Sequence, residues 1–589
     1  MSDPAEQQPQ PAVPTPADPP EAAARIAALV QGGSLGPAAN DAARPQPSVD
    51  ASALAGDPRE SIPLPPPAND DEPDDVIDPG ESHAPPPGGP VDKEVVSFCA
   101  SLPQNDTGNA HRLIAHFGKD LVVAREQGWM VWTGTHWDLE SGAAAVKLRA
   151  QWTAPRIISE AKELKMGATE KDDDFEKRVA ARRKFAVSSG NASRSAAMIS
   201  LAEPHLTRPV EDFDGGPLMV AVRNGVIVFR REVDPDCPDP DVTRWRVEVD
   251  FRPHRREDLI TKVMPVDYDP EAKCPTWDRF LGRFQPKEHL RRFLQVFHGL
   301  GLTGRTVQAL VFHYGGGANG KSTFINAICD LMGSYAQQLS AESITGQGQR
   351  RGDQATPDLA RLPGARLVRV SELPRGEPLK EALIKQLTGG EPMLVRHLNK
   401  GFFEFPPEFK AVMSGNDLPQ VGGVDHGIWR RMRLVPWEVT IPEGEQREMS
   451  EVLAEFAQER SGILNWLVEG ARIFLTEGLI SPDEVTAATQ AYRDEMDPIG
   501  GFVTDCVEKT EPGLNASVTA RQMYEAYVSW SLANAKRPWK ETAFGRALPH
   551  KGFTKTNERV RRYLDCRLHD VPERPDTVPR SPPPAYGDD

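Results

Sequence analysis

The run Val307-Gln-Ala-Leu-Val-Phe-His-Tyr314 enters Gly315-Gly316-Gly317-Ala318-Asn319-Gly320-Lys321-Ser322-Thr323, and Phe324-Ile-Asn-Ala-Ile-Cys-Asp-Leu-Met332 follows, closed by Gly333. The first run is short and apolar, as a buried strand requires. The last repeats apolar residues at helical spacing and stops at a glycine. Between them the chain fits G-x-x-x-x-G-K-[ST]. Glycines there let backbone N–H groups turn inward around phosphates, and the helix that starts behind them adds partial positive charge. Lys321 is expected to reach the β- and γ-phosphates and the Ser322 hydroxyl to ligate Mg²⁺. At background frequencies the eight-residue pattern arises in on the order of one or two chains per hundred of this length. Chance matches seldom also have a strand before and a helix after. Residues 315–323 are therefore expected to bind a nucleoside triphosphate.

Downstream residues narrow the chemistry. Gly364-Ala-Arg-Leu-Val-Arg-Val-Ser371-Glu372 is an apolar strand ending in a carboxylate, which makes Glu372 the candidate water-activating base. Ser371 stands before it where many such ATPases carry Asp, so metal support is expected to run through water. Phe409-Lys-Ala-Val-Met413 is a further strand with Asn416 at its tip, placed to hold the attacking water and sense the γ-phosphate. Trp429-Arg430-Arg431-Met-Arg433 opens another apolar strand. In Met393-Leu-Val-Arg396-His397-Leu-Asn399-Lys400-Gly401-Phe-Phe-Glu-Phe405, two β-rich arms meet at a turn-like Asn-Lys-Gly.

Residues 95–565 resemble the phage/plasmid-type primase-helicases, whose motor is a superfamily 3 helicase. The resemblance is carried by Ile260-Thr-Lys-Val-Met-Pro-Val-Asp-Tyr-Asp-Pro270, Cys274-Pro-Thr-Trp277, the glycine-rich loop, Arg366–Glu372 and Lys385-Gln-Leu-Thr-Gly-Gly-Glu391. Beyond these come residues 409–419, Gly427-Ile-Trp-Arg-Arg-Met-Arg433, Gly462-Ile-Leu-Asn-Trp-Leu-Val-Glu-Gly470 and Tyr492-Arg-Asp-Glu-Met-Asp497. The resemblance implies an α/β fold, an AAA+-like ATPase core on a parallel sheet, using ATP and Mg²⁺. It implies a ring, usually a homo-hexamer, that moves on single-stranded or forked DNA beside host or phage replication proteins. Lys321 and Ser322 become the Walker A residues, Glu372 the Walker B acid and Asn416 the sensor. Arg431 becomes the finger reaching a neighbouring subunit's ATP, with Arg430 as its fallback. Lys400, His397 and Arg396 of the hairpin become the contacts to DNA phosphates. Ser371, and Glu391 where relatives commonly have Asp, depart from the pattern.

The chain has 589 residues and a formal charge of −16. Residues 1–90 hold 15 Asp and Glu against three Arg, 21 of the 55 prolines and no aromatic ring, so they alone contribute −12. Such a segment cannot bury enough apolar surface to fold. The acidic pI of 5.4 is thus a property of a tail and does not exclude nucleic acid as a partner. The expected divisions are a disordered tail over 1–92, an α+β domain over 93–253 and the ATPase over 254–495. A winged-helix-like domain over 496–570 and a second tail over 571–589 complete the chain. Within 93–253, the aromatic cluster Trp129, Trp132, Trp137 reads as the core of a small sheet, a long helical stretch covers about 145–200, and Asn224-Gly225 turns a hairpin. Asp234 to Asp241 is laced with proline and reads as a solvated loop. From Lys536 to Asp570, ten Lys and Arg outnumber four Asp and Glu, a plausible DNA patch.

Six scattered cysteines without a C-x-x-C pair point to reduced cytosolic thiols. The N-terminus has neither basic start nor apolar stretch, so a cytoplasmic protein of a bacterial host, with no membrane contact, is expected. Three functions compete. The first is an ATP-dependent replicative helicase for a phage, prophage or plasmid. The second is a bifunctional primase-helicase, weakened because no catalytic carboxylate pair stands out in 95–250. The third is a nucleotide-switched origin-binding or loading module, against which the set Lys321, Glu372 and Arg431 argues.

Overall fold

A computed structural model describes residues 91–235, 243–346, 355–371, 373, 376–421, 426–511 and 516–573. The expected tails fall almost wholly outside these residues, as do Glu372 and residues 236–242 of the proline-laced loop. Two compact units make up the chain, one of residues up to Val123 with Ser141–Thr207, the other of Ala124–Glu140 with Arg208 onward.

The first unit is built on helices Lys93–Ala100, Asp106–Phe117, Gly142–Glu163, Asp172–Ser189 and Ala192–Leu206. The single long stretch expected over 145–200 is three helices, broken around Gly167 and at Gly190-Asn191, where Gly and Asn favour leaving the helix. Leu113, Ile114, Val146, Ile157 and Met198 are buried. A buried ionic cluster ties the helices. Glu160, fully buried, accepts from Arg112 at 2.7 and 2.9 Å and also pairs with Arg182. Arg112 spends its remaining donors on the carbonyls of Pro103, Cys99 and Leu102 at 2.8, 3.0 and 3.1 Å. Both charges are thereby satisfied in a place where an unpaired one is costly.

The second unit contains a five-stranded, all-parallel sheet in the order Met432–Pro436, Leu310–Tyr314, Lys410–Gly415, Leu367–Ser371, Ala336–Leu339. The strand leading into the glycine-rich loop thus lies beside the Asn416 strand, and the strand running toward Glu372 is one further across. Parallel strands with both faces covered read as near-continuous apolar runs, which is what 307–314 and 432–436 show. The helix Lys321–Met332 follows the loop and ends at Gly333, whose φ is 53°. Helices Glu288–Leu300 and Arg460–Glu477 pack almost backbone to backbone: a Cβ on Gly470 would lie 2.7 Å from the Gln295 carbonyl carbon.

The Asn224-Gly225 hairpin forms as read, with Met219–Val222 against Gly225–Val233 and Val222 opposite Gly225. Its third strand is Trp245–Arg252. The buried residues of this sheet, Val220, Val226, Ile227 and Phe229, share one core with Trp277, Phe324 and Leu467. The expected segment 93–253 is therefore divided: its helices stand in the first unit, and its 219–252 sheet folds with the parallel-sheet unit. Trp137 is 4% exposed and donates to the Arg256 carbonyl at 2.9 Å, so it serves packing.

Within the same unit, residues 498–568 have a core of their own, including Phe502, Tyr527, Trp530, Phe544 and Tyr563. Helices Pro498–Cys506, Ala520–Ala533 and Glu541–Ala547 supply it, with Tyr527 stacked on Phe544 at 4.5 Å. The second helix starts at a capping box of Thr519 and Gln522. Strands Arg562–Leu564 and Cys566–Leu568 pair respectively with Ser517–Thr519 and Val507–Lys509. The five described cysteines are free, and no described helix is long and apolar enough to cross a membrane.

Candidate nucleotide site and hairpin

The loop after strand Leu310–Tyr314 turns on Gly315 at φ 156°, Ala318 at φ 53° and Gly320 at φ 79°. Such values suit glycine and strain most other residues. Lys321, the first residue of the following helix, folds back into this loop and is 5% exposed. Its ammonium donates to the carbonyls of Gly315 and Gly316 at 2.7 and 3.0 Å, to Asn319 Oδ1 at 3.0 Å and to Asn416 Oδ1 at 3.2 Å. Asn319 in turn donates to Gly316 O at 2.6 Å and to Trp437 O at 3.2 Å, which fixes the loop against the neighbouring strand's exit. Burial pushes the lysine down to about 8, because a desolvated ammonium surrounded only by neutral dipoles loses more hydration than it recovers.

A cavity of about 1120 Å³ opens in front of these groups. Residues 317–323, Asn416 and Asp417 give it a polar lining. Phe280, Phe284, Ile441, Val452 and Phe456 add an apolar wall among the charged Arg279, Arg283, Arg447 and Glu455, and Phe280 and Phe284 reach the loop, 3.1 Å from where a Cβ on Gly320 would lie. Trp277 backs that wall, with its ring 5.9 Å from Phe280 and 5.2 Å from Phe456. A buried cation and an aromatic wall in one cavity fit a molecule with an anionic chain and a flat apolar head. Ser322 lines the same cavity. Among the described residues, no cluster of three His, Cys, Asp or Glu could hold a metal by itself.

The structure brings together Lys321, Ser322 and Asn416 as expected from the sequence. Glu372 lies outside the described residues, although its strand, Leu367–Ser371, runs beside the Asn416 strand. Arg369, on that same strand, lines the cavity and donates to Asn326 Oδ1 and, at 2.8 Å, to Gln338 Oε1. It was missed from sequence, although a lone arginine inside Leu-Val-Arg-Val was a visible break in an apolar run. Phe280 and Phe456 were missed as well, because residues 176 positions apart share a wall only after folding.

Arg431, the expected finger, immediately precedes the strand Met432–Pro436. It is 6% exposed and donates to its own Gly427 carbonyl at 2.8 Å. Arg430, two residues before the strand Met432–Pro436 and beside buried Trp429, is exposed. The two arginines sit at a turn, and successive side chains there point in different directions, which sequence alone cannot assign.

The hairpin forms from Met393–Arg396 and Phe402–Phe405, antiparallel, with Arg396 opposite Phe402. Asn399 takes the left-handed conformation at φ 58°, as a tight tip demands. Met393, Val395, Phe403 and Phe405 are buried, and Lys400 stands exposed at the tip. The Arg396 guanidinium lies 4.8 Å over the Phe402 ring. His397 packs on Phe403, and burial followed by the nearby Lys400 charge lowers its basicity.

Residues 110–286 match the family described as "D5 N terminal like", and residues 313–431 match a family of unknown function, DUF5906. The chain is 25% identical over 345 residues to "Putative helicase L207/L206" of Acanthamoeba polyphaga mimivirus, covering 54% of this chain and 34% of that protein. It is 28% identical over 273 residues to "Putative helicase 022R" of Frog virus 3, covering 44% and 28%. It is also 23% identical over 346 residues to "Putative primase C962R" of African swine fever virus, covering 55% and 34%. The matches thus span about a third of the length of these relatives. Among solved structures, the apo C-terminal region of NrS-1 aligns at 10% identity and TM-score 0.32, over 56% of this chain and 95% of that one. The sequence matches bear out the kinship with phage-type primase-helicases that the motifs suggested.

Proposed function

We propose, from the kinship of this chain with the phage-type primase-helicases, that it is an ATP-dependent superfamily 3 DNA helicase acting as a ring in replication. The observation that carries the reading is the buried Lys321 ammonium, held by loop carbonyls and by Asn416 against a cavity large enough for a nucleotide. In this reading Lys321 exchanges those neutral partners for the β- and γ-phosphates. ATP with Mg²⁺ supplies the transferable phosphoryl group and its counter-charge. Ser322 ligates the cation. Asn416 orients the attacking water and Glu372 accepts its proton. The aromatic wall of Phe280 and Phe456 takes the base.

Arg430 is the arginine offered to a neighbouring subunit, because it is exposed while Arg431 is committed to Gly427. The 393–405 hairpin follows the DNA backbone through Lys400, His397 and Arg396. Residues 496–570, basic over their second half, act as a winged-helix-like DNA contact. The test is ATP hydrolysis and forked-DNA unwinding by the full chain, with primer synthesis measured in parallel. DNA-stimulated hydrolysis with unwinding is expected. Primers made from a template would establish the bifunctional reading, and ATP binding without unwinding in any assembly state would leave a loading module.

A further inference from the structure

The hairpin tip already holds an anion, and the anion belongs to the chain itself. Gly401 donates its backbone N–H to Oε2 of Glu126 at 2.9 Å, and the Lys400 ammonium donates to the Gln127 carbonyl. A Cβ on Gly401 would lie 2.6 Å from that carboxylate oxygen, so the carboxylate sits directly against the tip backbone. Both partners adopt left-handed backbone to meet: Asn399 at φ 58° and Glu126 at φ 62°. Asparagine tolerates this conformation, whereas glutamate does so rarely. The turn carrying Glu126 is thus held in an unfavoured shape while its side chain reaches the tip. Glu126 and Gln127 belong to the Ala124–Glu140 segment of the same unit as the hairpin.

A carboxylate oxygen receiving a backbone N–H uses a donor that a phosphodiester oxygen would use, and the Lys400 ammonium, here on the Gln127 carbonyl, is a second donor at the tip. We propose that the tip is a site for one phosphate of single-stranded DNA, made by the Gly401 N–H and the Lys400 ammonium, and that Glu126 fills it until DNA displaces it. The proposal rests on the reading of the hairpin as the DNA-contacting element. Glu126 and the DNA backbone compete for the Gly401 N–H beside Lys400, so removing the carboxylate raises affinity for DNA without adding any contact to it.

The experiment is a fluorescence-anisotropy titration of labelled oligothymidylate with the full chain at fixed salt. Glu126→Gln keeps size and acceptor oxygens but loses the charge. Glu126→Gly removes the side chain and relieves the left-handed backbone, so the turn persists. Both are expected to tighten binding about fivefold, the lower end of usual coupling between competing sites. Lys400→Ala is expected to weaken binding, and adding Glu126→Gln to it to recover less than the single substitution gains. If Lys400→Ala weakens binding while both Glu126 variants bind as the wild type or more weakly, the proposal is overturned and the hairpin reading stands. If Lys400→Ala changes nothing, the hairpin reading itself falls, and this proposal with it.

Discussion

Lys321 and Asn416, 95 positions apart in the chain, meet at 3.2 Å, the amide oxygen of Asn416 accepting from the ammonium. The contact exists because strands Leu310–Tyr314 and Lys410–Gly415 are direct neighbours in the parallel sheet, with Tyr314 opposite Gly415. Loops leaving the carboxyl ends of adjacent parallel strands open on one crevice, where ligands of open α/β sheets bind.

Asn416→Ala is expected to keep ATP affinity within a few-fold and to lower turnover by about 10²–10³, the usual worth of one polar group aimed at the reacting centre. Asn416→Asp should behave differently. It sets a carboxylate beside the Lys321 ammonium, raises its affinity for the proton, and repels the triphosphate. Nucleotide affinity should fall at least about tenfold, the equivalent of ~1.4 kcal/mol. Calorimetric titration with a non-hydrolysable ATP analogue separates the two variants.

Lys321 titrates near 8 in the nucleotide-free chain, lowered by burial. Phosphates placed against it raise that value, so binding takes up a proton wherever the free protein is partly deprotonated. Affinity should be full below about pH 8 and fall as pH climbs above it. Titrations in buffers of different ionisation enthalpy report the proton uptake. Lys321→Ala should lose the uptake together with hydrolysis while remaining folded; retained turnover would end the assignment of the loop.

Arg430→Ala should fold and bind ATP but hydrolyse it about 10³-fold or more slowly, the magnitude of a missing trans arginine. Mixed with Lys321→Ala chains, it should recover part of its activity, since some interfaces then pair an intact loop with an intact arginine. Arg431→Ala should chiefly lower the melting temperature, because its side chain is buried and bonded to Gly427. Rescue by mixing seen for Arg431→Ala, and not for Arg430→Ala, would reverse the assignment.

Glu160→Ala leaves Arg112 and Arg182 charged and unpaired in the first unit. A loss of about 3–5 kcal/mol is expected for breaking a buried pair from one side. Urea unfolding followed by far-UV circular dichroism should show an earlier transition for the helical unit. A midpoint equal to wild type would mean that the guanidiniums find water or other acceptors.

What could be read before folding was whatever nearest neighbours along the chain impose. A strand, a glycine-rich turn and a helix are local events, so their succession over 307–333 was legible. Asn224-Gly225 and Asn399-Lys400-Gly401 announced hairpins for the same reason, since a tight reversal needs residues at ease with positive φ. The order of strands was not legible, because parallel pairing joins segments some 30 to 120 residues apart and depends on which faces bury each other. Tertiary structure alone decided that the 219–252 sheet folds with the parallel-sheet unit, that Phe280 and Phe456 share one wall, and that Glu126 reaches the tip at Gly401. It also separated Arg430 from Arg431. Both are arginines on one turn with the same charge and size, and only folding leaves Arg430 exposed and Arg431 buried on the Gly427 carbonyl.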